Sequence, residues 1–373
     1  MGHAWREERW HSLRLLTPNW QNGFRGFPYQ GDEPDGFMSA GELAEQLKGY
    51  QTFLQAPVVE GCAVTGLTQS GRDYIVDTQH HQYRARAVVL AHGACRLPAV
   101  PTLDAALRDH VSTLTALDYS CPDDLPPGPS LVVGASATGI QLAAEIHGSG
   151  RPVTISIGEH VRMPRRYRGR DIQWWLDATG LLDETWHEID DLQRARRVPS
   201  PQIIGNVDGL SLDLNFLTAQ GVDLVGRLAG FNAPNLQFSG SLKNNCKLAD
   251  LKMNRLLNNI DDWVTQRGRD AEFDPTHRFD STHIPQAPAL VKPVSDFASV
   301  VWATGFKPDL SWVNVEGVLD RKGRLKHEGG VVQAGLYALG LTFLRRRKSS
   351  FIVGAQDDCE DLTRDLMAHL ACE

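Results

Sequence analysis

Ser130–Ile146, SLVVGASATGIQLAAEI, decides how the rest of the chain is read. The apolar run Leu131–Val133 ends at Gly134, small residues follow, and an amphipathic run begins at Ile140. The order is strand, tight turn, helix. Gly134, Ser136 and Gly139 hold the three small positions of the dinucleotide turn G-x-G-x-x-G, with serine in the middle, and Ala135 and Thr138 are the spacers nearest a bound phosphate. Each position has its own physical requirement. Gly134 makes the tight turn, Ser136 lets the backbone approach a pyrophosphate, and Gly139 lets the helix lie against the strand. The helix N-terminus then offers free N–H groups and the positive end of its dipole to the phosphates.

Length and composition bound what surrounds this turn. With 373 residues the chain is long for one core, so two domains are expected. A net charge of −7 gives no general attraction to nucleic acid or an anionic membrane. No run approaches the ~18 apolar residues of a membrane span. The opening MGHAWREERWHSLRLL has Trp, Arg and Glu where a secretion signal has an apolar run, which places the protein in the cytoplasm. The six cysteines, at 62, 95, 121, 246, 359 and 372, form no C-x-x-C pair, so neither a dithiol centre nor a metal site is expected.

Along the chain, Trp5, Trp10 and Trp20 alternate with arginines, and a Gly-, Pro- and Phe-rich loop follows. Ser39 and Glu42 form a capping box for a helix over Ala40–Tyr50. Strands are expected at Val58–Val64, Tyr74–Thr78 and Ala85–Leu90, the last closing on His92-Gly93. The linker CPDDLPPGP, 121–129, delivers the chain to the glycine turn. The strand after the turn, Val153–Ile157, ends near Glu159, about where an acidic residue holds the ribose hydroxyls of NAD. Five arginines follow at 162, 165, 166, 168 and 170. Guanidinium forks bind phosphate bidentately, so the cluster, with Arg162, Arg165 and Arg166 as ligands, points to the 2′-phosphate of NADPH. Further on, ADLKMNRLLNNIDDWV has helical spacing, SVVWATGFKPDL gives a strand over Ser299–Ala303 ending at Thr304-Gly305, and a terminal helix is expected over Asp357–Leu370.

Taken together, VVLAHGA, GASATG, RMPRRYRGRDIQWW, VVWATGFKPDL and GLYALGLTFLRRRKSSFIVGA resemble the flavin-containing monooxygenase-like branch of flavoproteins with two dinucleotide-binding domains. The resemblance covers nearly the whole chain. It implies an α/β fold with two Rossmann-like three-layer domains, the FAD-binding one discontinuous and N-terminally incomplete. Residues 1–120 are then the first part of the FAD-binding domain, 121–297 the NADPH-binding domain with a helical insertion, and 298–373 the return to the FAD-binding domain. It further implies that Asn19 is the catalytic asparagine beside flavin and nicotinamide, that Trp5 lies against FAD with Thr17 in its ring pocket, and that the backbone near Val64 meets the adenine. Ala91, Gly93, Thr304 and Gly305 close the two crossings between domains as cofactor contacts.

Two features depart from the family pattern. The FAD domain's own glycine turn, expected about 30 residues before Gly2, is absent from the sequence. The signature F-x-G-x-x-x-H-x-x-x-[YW], aligned on Tyr119, has Asp109, Val111 and Thr115 at its other positions. The leading expectation is an NADPH-dependent FAD oxidoreductase of monooxygenase type. In it, hydride passes from NADPH to FAD, and a C4a-peroxyflavin oxygenates a small organic substrate with O₂. A flavin-free, degenerate NADP-binding regulatory protein and a flavin reductase without oxygenation are the alternatives.

Overall fold

The computed structural model describes residues 1–206 and 209–371 of the chain. The elements that position the site run in this order. Helix α1 is Ala40–Leu54, followed by strands β1 (Val64–Ser70), β2 (Asp73–Thr78), β3 (Gln82–Ala85), β4 (Val88–Leu90), β5 (Ser112–Thr115) and β6 (Ser130–Val133). Helix α2 (Ala137–Gly148) leads to β7 (Val153–Ile157) and the short β8 (Val161–Arg162). Helix α3 (Ile172–Ala178), β9 (Pro201–Gln202), β10 (Asp223–Gly226) and the long helix α4 (Leu242–Gln266) come next. The chain closes with β11 (Ser299–Trp302), β12 (Val331–Gln333), β13 (Leu336–Ala338) and α5 (Ile352–Ala371).

Five strands form one parallel sheet in the order β10-β7-β6-β11-β5. All five are parallel because helices and long connections return the chain to the same edge, as in doubly wound folds. Alternate residues of each strand feed opposite faces. Val132, Ile155 and Val301 join α2's Ile140, Leu142 and Ala143 in one core. Leu131, Val133, Val300 and Trp302 join Leu236 and Phe238 in another. Ser130 and Ser299 are fully buried and share a 2.9 Å hydroxyl–hydroxyl hydrogen bond between β6 and β11, which satisfies both polar groups inside the sheet.

The position of β11 differs from the expected layout. A domain boundary at 298 gives the run Ser299–Trp302 to the return of the FAD-binding domain, but it lies between β6 and β5 in the sheet that carries the glycine turn. That sheet therefore takes in 112–115 and 299–302, on both sides of the 121–297 interval. A second sheet, β12-β13-β4, has β13 parallel to β4 and carries its own core of Leu90, Leu336, Ala338, Leu344 and Leu362. The antiparallel sheet β1-β2-β3 adds Leu67 and Tyr74 to that core.

Local expectations agree with the structure where the signal is local. Ser39 caps α1 through the reciprocal bond with Glu42. Helix α4 covers the ADLKMNRLLNNIDDWV pattern, and α5 begins at Ile352, ahead of the expected Asp357. The Ala85–Leu90 run divides into β3 and β4, and residues 58–63 are not strand. Among the described residues no helix is long and apolar enough to cross a membrane, no cluster of potential metal ligands forms, and the five described cysteines are free. Cys372 lies outside the described residues.

Gly139 is where α2 meets β6. A Cβ placed there would lie 1.9 Å from the Gly134 carbonyl oxygen. Gly139→Ala is therefore expected to destabilise the protein by about 1–3 kcal/mol through overpacking, read as a lower urea midpoint with an unchanged slope.

Candidate functional site

Gly134 leaves β6 with φ +115°, a conformation that disfavours any side chain. A Cβ there would also lie 2.3 Å from the Ala303 carbonyl oxygen. The glycine turn and the turn after β11 thus touch through bare backbone, on the seam between β6 and β11. Strand order reverses at β6, so this is the crevice where doubly wound sheets bind ligands. Ser136 is the N-cap of α2, yet its hydroxyl makes no capping bond. The first-turn N–H groups of Ala137, Thr138 and Gly139 are left for an anion.

A residue outside the sequence expectations completes this cradle. Gln202, on β9, donates from Nε2 to the Ala135 carbonyl at 2.7 Å and is 1 % exposed. Its Oε1 is buried without a partner. A buried acceptor left open at the rim of a nucleotide cradle is suited to a ligand donor. No periodicity or motif marks Gln202; its place follows from the pairing of β9 with β8.

The arginine cluster behaves differently from its expected role. Arg162 is 5 % exposed and bonds Asp213 and Asp250, both at 2.7 Å, and the Asp280 carbonyl. Arg165 is 1 % exposed, pairs bidentately with Asp171, and donates to the Leu16 and Ile204 carbonyls. Arg168 is taken by Asp261, Asp270 and the Asp274 carbonyl. Arg162 and Arg165 are thus corrected from phosphate ligands to internal struts, because carboxylates and carbonyls from other segments already satisfy their forks. Arg166 is exposed, lies over Gly209, and lines a small cavity of about 80 Å³ with Asp35, Arg170 and Trp174.

The remaining expected residues are dispersed. Asn19 is 4 % exposed, donates from Nδ2 to the Glu33 carbonyl, and accepts from Met38 N, each at 2.9 Å. Thr17 donates to Asn22 Oδ1 at 2.6 Å. Both brace the 17–38 loop, and Asn19 keeps one amide hydrogen uncommitted to that pair of bonds. Trp5 packs beside Leu15 and Leu43, with the Arg9 guanidinium 5.4 Å from its ring. Val64 is exposed at the start of β1. Ala91 and Gly93 follow β4, with Gly93 at φ +79° and open space around it. Between them, His92 sits edge-on to Trp312 at 5.9 Å, and burial holds its imidazole below the ordinary value. Thr304 donates to the Ala99 carbonyl at 2.8 Å, and Gly305 turns at φ +94°. Gly134, Ala135, Ser136, Thr138, Gly139 and Thr304 therefore form one place, while Thr17 and Asn19 belong to the 17–38 loop and Trp5 to the short helix His3–Glu7.

Comparison with known proteins agrees with this fold. Residues 29–179 match the family model described as pyridine nucleotide-disulphide oxidoreductase. A flavin-containing monooxygenase from Stenotrophomonas maltophilia superposes with a TM-score of 0.65 at 17% identity, over 98% of this chain and 88% of that one. The chain shares the fold of this flavin-containing monooxygenase. The chain is also 28% identical to an uncharacterized CzcO-like oxidoreductase from Geobacillus kaustophilus (strain HTA426), over 99% of this chain and 89% of that protein. The ornithine N-hydroxylase of Kutzneria sp. 744, solved with reduced FAD, NADP+ and L-ornithine, superposes at a TM-score of 0.55 and 12% identity over 98% of this chain and 89% of that one.

The buried arginine predicts a clear asymmetry. Arg162→Ala strands two carboxylates and is expected to cost about 3–5 kcal/mol in urea unfolding. Arg166→Ala, at an exposed position, is expected to stay within about 0.5 kcal/mol.

Proposed function

We propose that this protein is an NADPH-dependent FAD oxidoreductase that uses O₂ to oxygenate a small organic substrate. The observation that carries the reading is the Gly134–Gly139 cradle, closed by the turn after β11 and edged by the unpartnered Gln202 Oε1. A dinucleotide fits it: bare backbone for the pyrophosphate, free N–H groups at the helix start, and an acceptor for a ligand amide or hydroxyl.

Room for a flavin is of a different kind. A cavity of about 780 Å³ lies beside Gly340 just after β13, walled by Phe24 and Tyr50 on one side and by Phe351, Ile352 and Ala355 of the start of α5 on the other. Its size and apolar lining suit a fused aromatic ring. Ring contacts there and the rims at Ala91–Gly93 and Gly340 are the groups of this chain that would hold FAD. FAD, when bound, supplies two-electron chemistry between NADPH and O₂. The protein's part is to bind, to orient and to keep water out. Asn19 serves as a positioning residue that fixes the 17–38 loop and offers its spare N–H.

A reductase without oxygenation is the second reading. Tyr119, the one retained position of the monooxygenase signature, is a buried core residue whose hydroxyl has no partner, a packing role rather than a reactive one.

The protein reconstituted with FAD is expected to show flavin absorbance that NADPH bleaches without oxygen, and then to consume O₂ when air is admitted. Coupled product formation from amine or thioether substrates supports oxygenation, whereas peroxide as the sole product of oxygen uptake supports the reductase. A protein that takes up no flavin overturns both.

A further inference from the structure

We infer that the coenzyme's 2′-phosphate is recognised by Arg227 and Lys252, with Glu159 as the opposing determinant, and not by Arg162, Arg165 or Arg168 of the arginine loop. The inference rests on the nucleotide reading of Gly134–Gly139.

The register of the parallel sheet carries the argument. Gly226 of β10 lies opposite Ile157 of β7, so the next residues, Arg227 and Gly158, emerge side by side at the C-terminal rim. Gly158 has no side chain, and the stem of Arg227 lies across it: a Cβ on Gly158 would stand 3.7 Å from Arg227 Cγ and Cδ. Arg227 is exposed, and its guanidinium makes no bond within the described residues. From α4, Lys252 reaches the same rim and pairs with Glu159 at 3.2 Å. The end of the second strand is where a dinucleotide's adenosine ribose sits. Two cations and one carboxylate therefore surround the position of the ribose 2′ substituent. His160 beside them is 2 % exposed, and burial pushes its imidazole below the ordinary value.

The arrangement has a direct chemical reading. A 2′-hydroxyl donates to Glu159, whereas a 2′-phosphate draws Lys252 from Glu159 and takes the free fork of Arg227. Glu159 then repels the phosphate. Preference between the two coenzymes is set by this balance at one rim. Arg162, Arg165 and Arg168 cannot contribute, because their forks are saturated by carboxylates and carbonyls.

Calorimetric titration of the full chain with 2′,5′-ADP and with 5′-AMP tests this without flavin turnover. The unaltered protein is expected to prefer 2′,5′-ADP. Arg227→Ala and Lys252→Ala should each weaken 2′,5′-ADP by about tenfold, the scale of one charge-assisted contact, and leave 5′-AMP within about twofold. Retained 5′-AMP binding also shows that each variant is folded. Glu159→Gln should strengthen 2′,5′-ADP selectively. An unchanged preference in the Arg227 and Lys252 variants, or its loss in Arg166→Ala instead, overturns the assignment while leaving the nucleotide site intact. Binding of neither probe by the unaltered protein overturns the nucleotide reading as well.

Discussion

The backbone of Gly134 passes so close to the Ala303 carbonyl that a single added carbon would sit 2.3 Å from that oxygen. This contact fixes more than a turn. It requires β6 and β11 to be neighbours, and the buried Ser130–Ser299 hydroxyl pair locks the other end of the same two strands. With both ends of the seam set, the order β10-β7-β6-β11-β5 follows, and the strand-order reversal falls at the glycine turn. The crevice is there because two backbones are allowed to touch there. Gly139 applies the same rule to the helix, bringing α2's free N–H groups to the seam.

Around this apolar sheet the chain places an ionic frame. Arg162 joins β8 to Asp250 of α4 and to Asp213, and Arg165 joins the same region to the Leu16 carbonyl and Asp171. Buried guanidiniums of this kind add little net stability when matched, yet removing one leaves charges that have nowhere to go. Their value is geometric: Arg165 reaches the backbone one residue before Thr17, and so ties the loop that carries Asn19 to the nucleotide-binding sheet. The 17–38 loop is therefore tied to this region by a buried guanidinium that donates to its neighbouring backbone.

What can be read in the sequence is what depends on near neighbours. The glycine turn, the Ser39–Glu42 box and the helical stripe of α4 each announce themselves within a few residues. The arginine loop misleads for the opposite reason. Its partners Asp213, Asp250, Asp261 and Asp270 lie 51, 88, 93 and 102 residues from the guanidiniums they bond, and spacing along the chain cannot show that they fold back. The strand Ser299–Trp302 is recognisable but falls in the wrong sheet when read from sequence, since four consecutive apolar or small residues fit either parallel pairing equally well. Gln202 and Arg227 give no signal at all. Each is an isolated polar residue whose meaning comes only from strand register.

The two sheets also differ in how they treat anionic ligands, and this difference orders the chemistry. The β10-β7-β6-β11-β5 sheet presents a helix start, free N–H groups and nearby cations, all of which favour phosphate. Beside α5 lies instead a cavity walled in part by Phe24, Tyr50, Phe351 and Ile352, and the first turn of that helix is approached so closely by the Lys348 backbone that Gly354 must lack a side chain. A charged tail is attracted to the first and a flat, uncharged ring to the second. Under the proposed function, affinity for the ring depends on the walls Phe24, Tyr50 and Phe351 together with the charged rim of Arg25, Glu360 and Arg364, so the flavin-type side of the molecule is sensitive to packing as well as to charge.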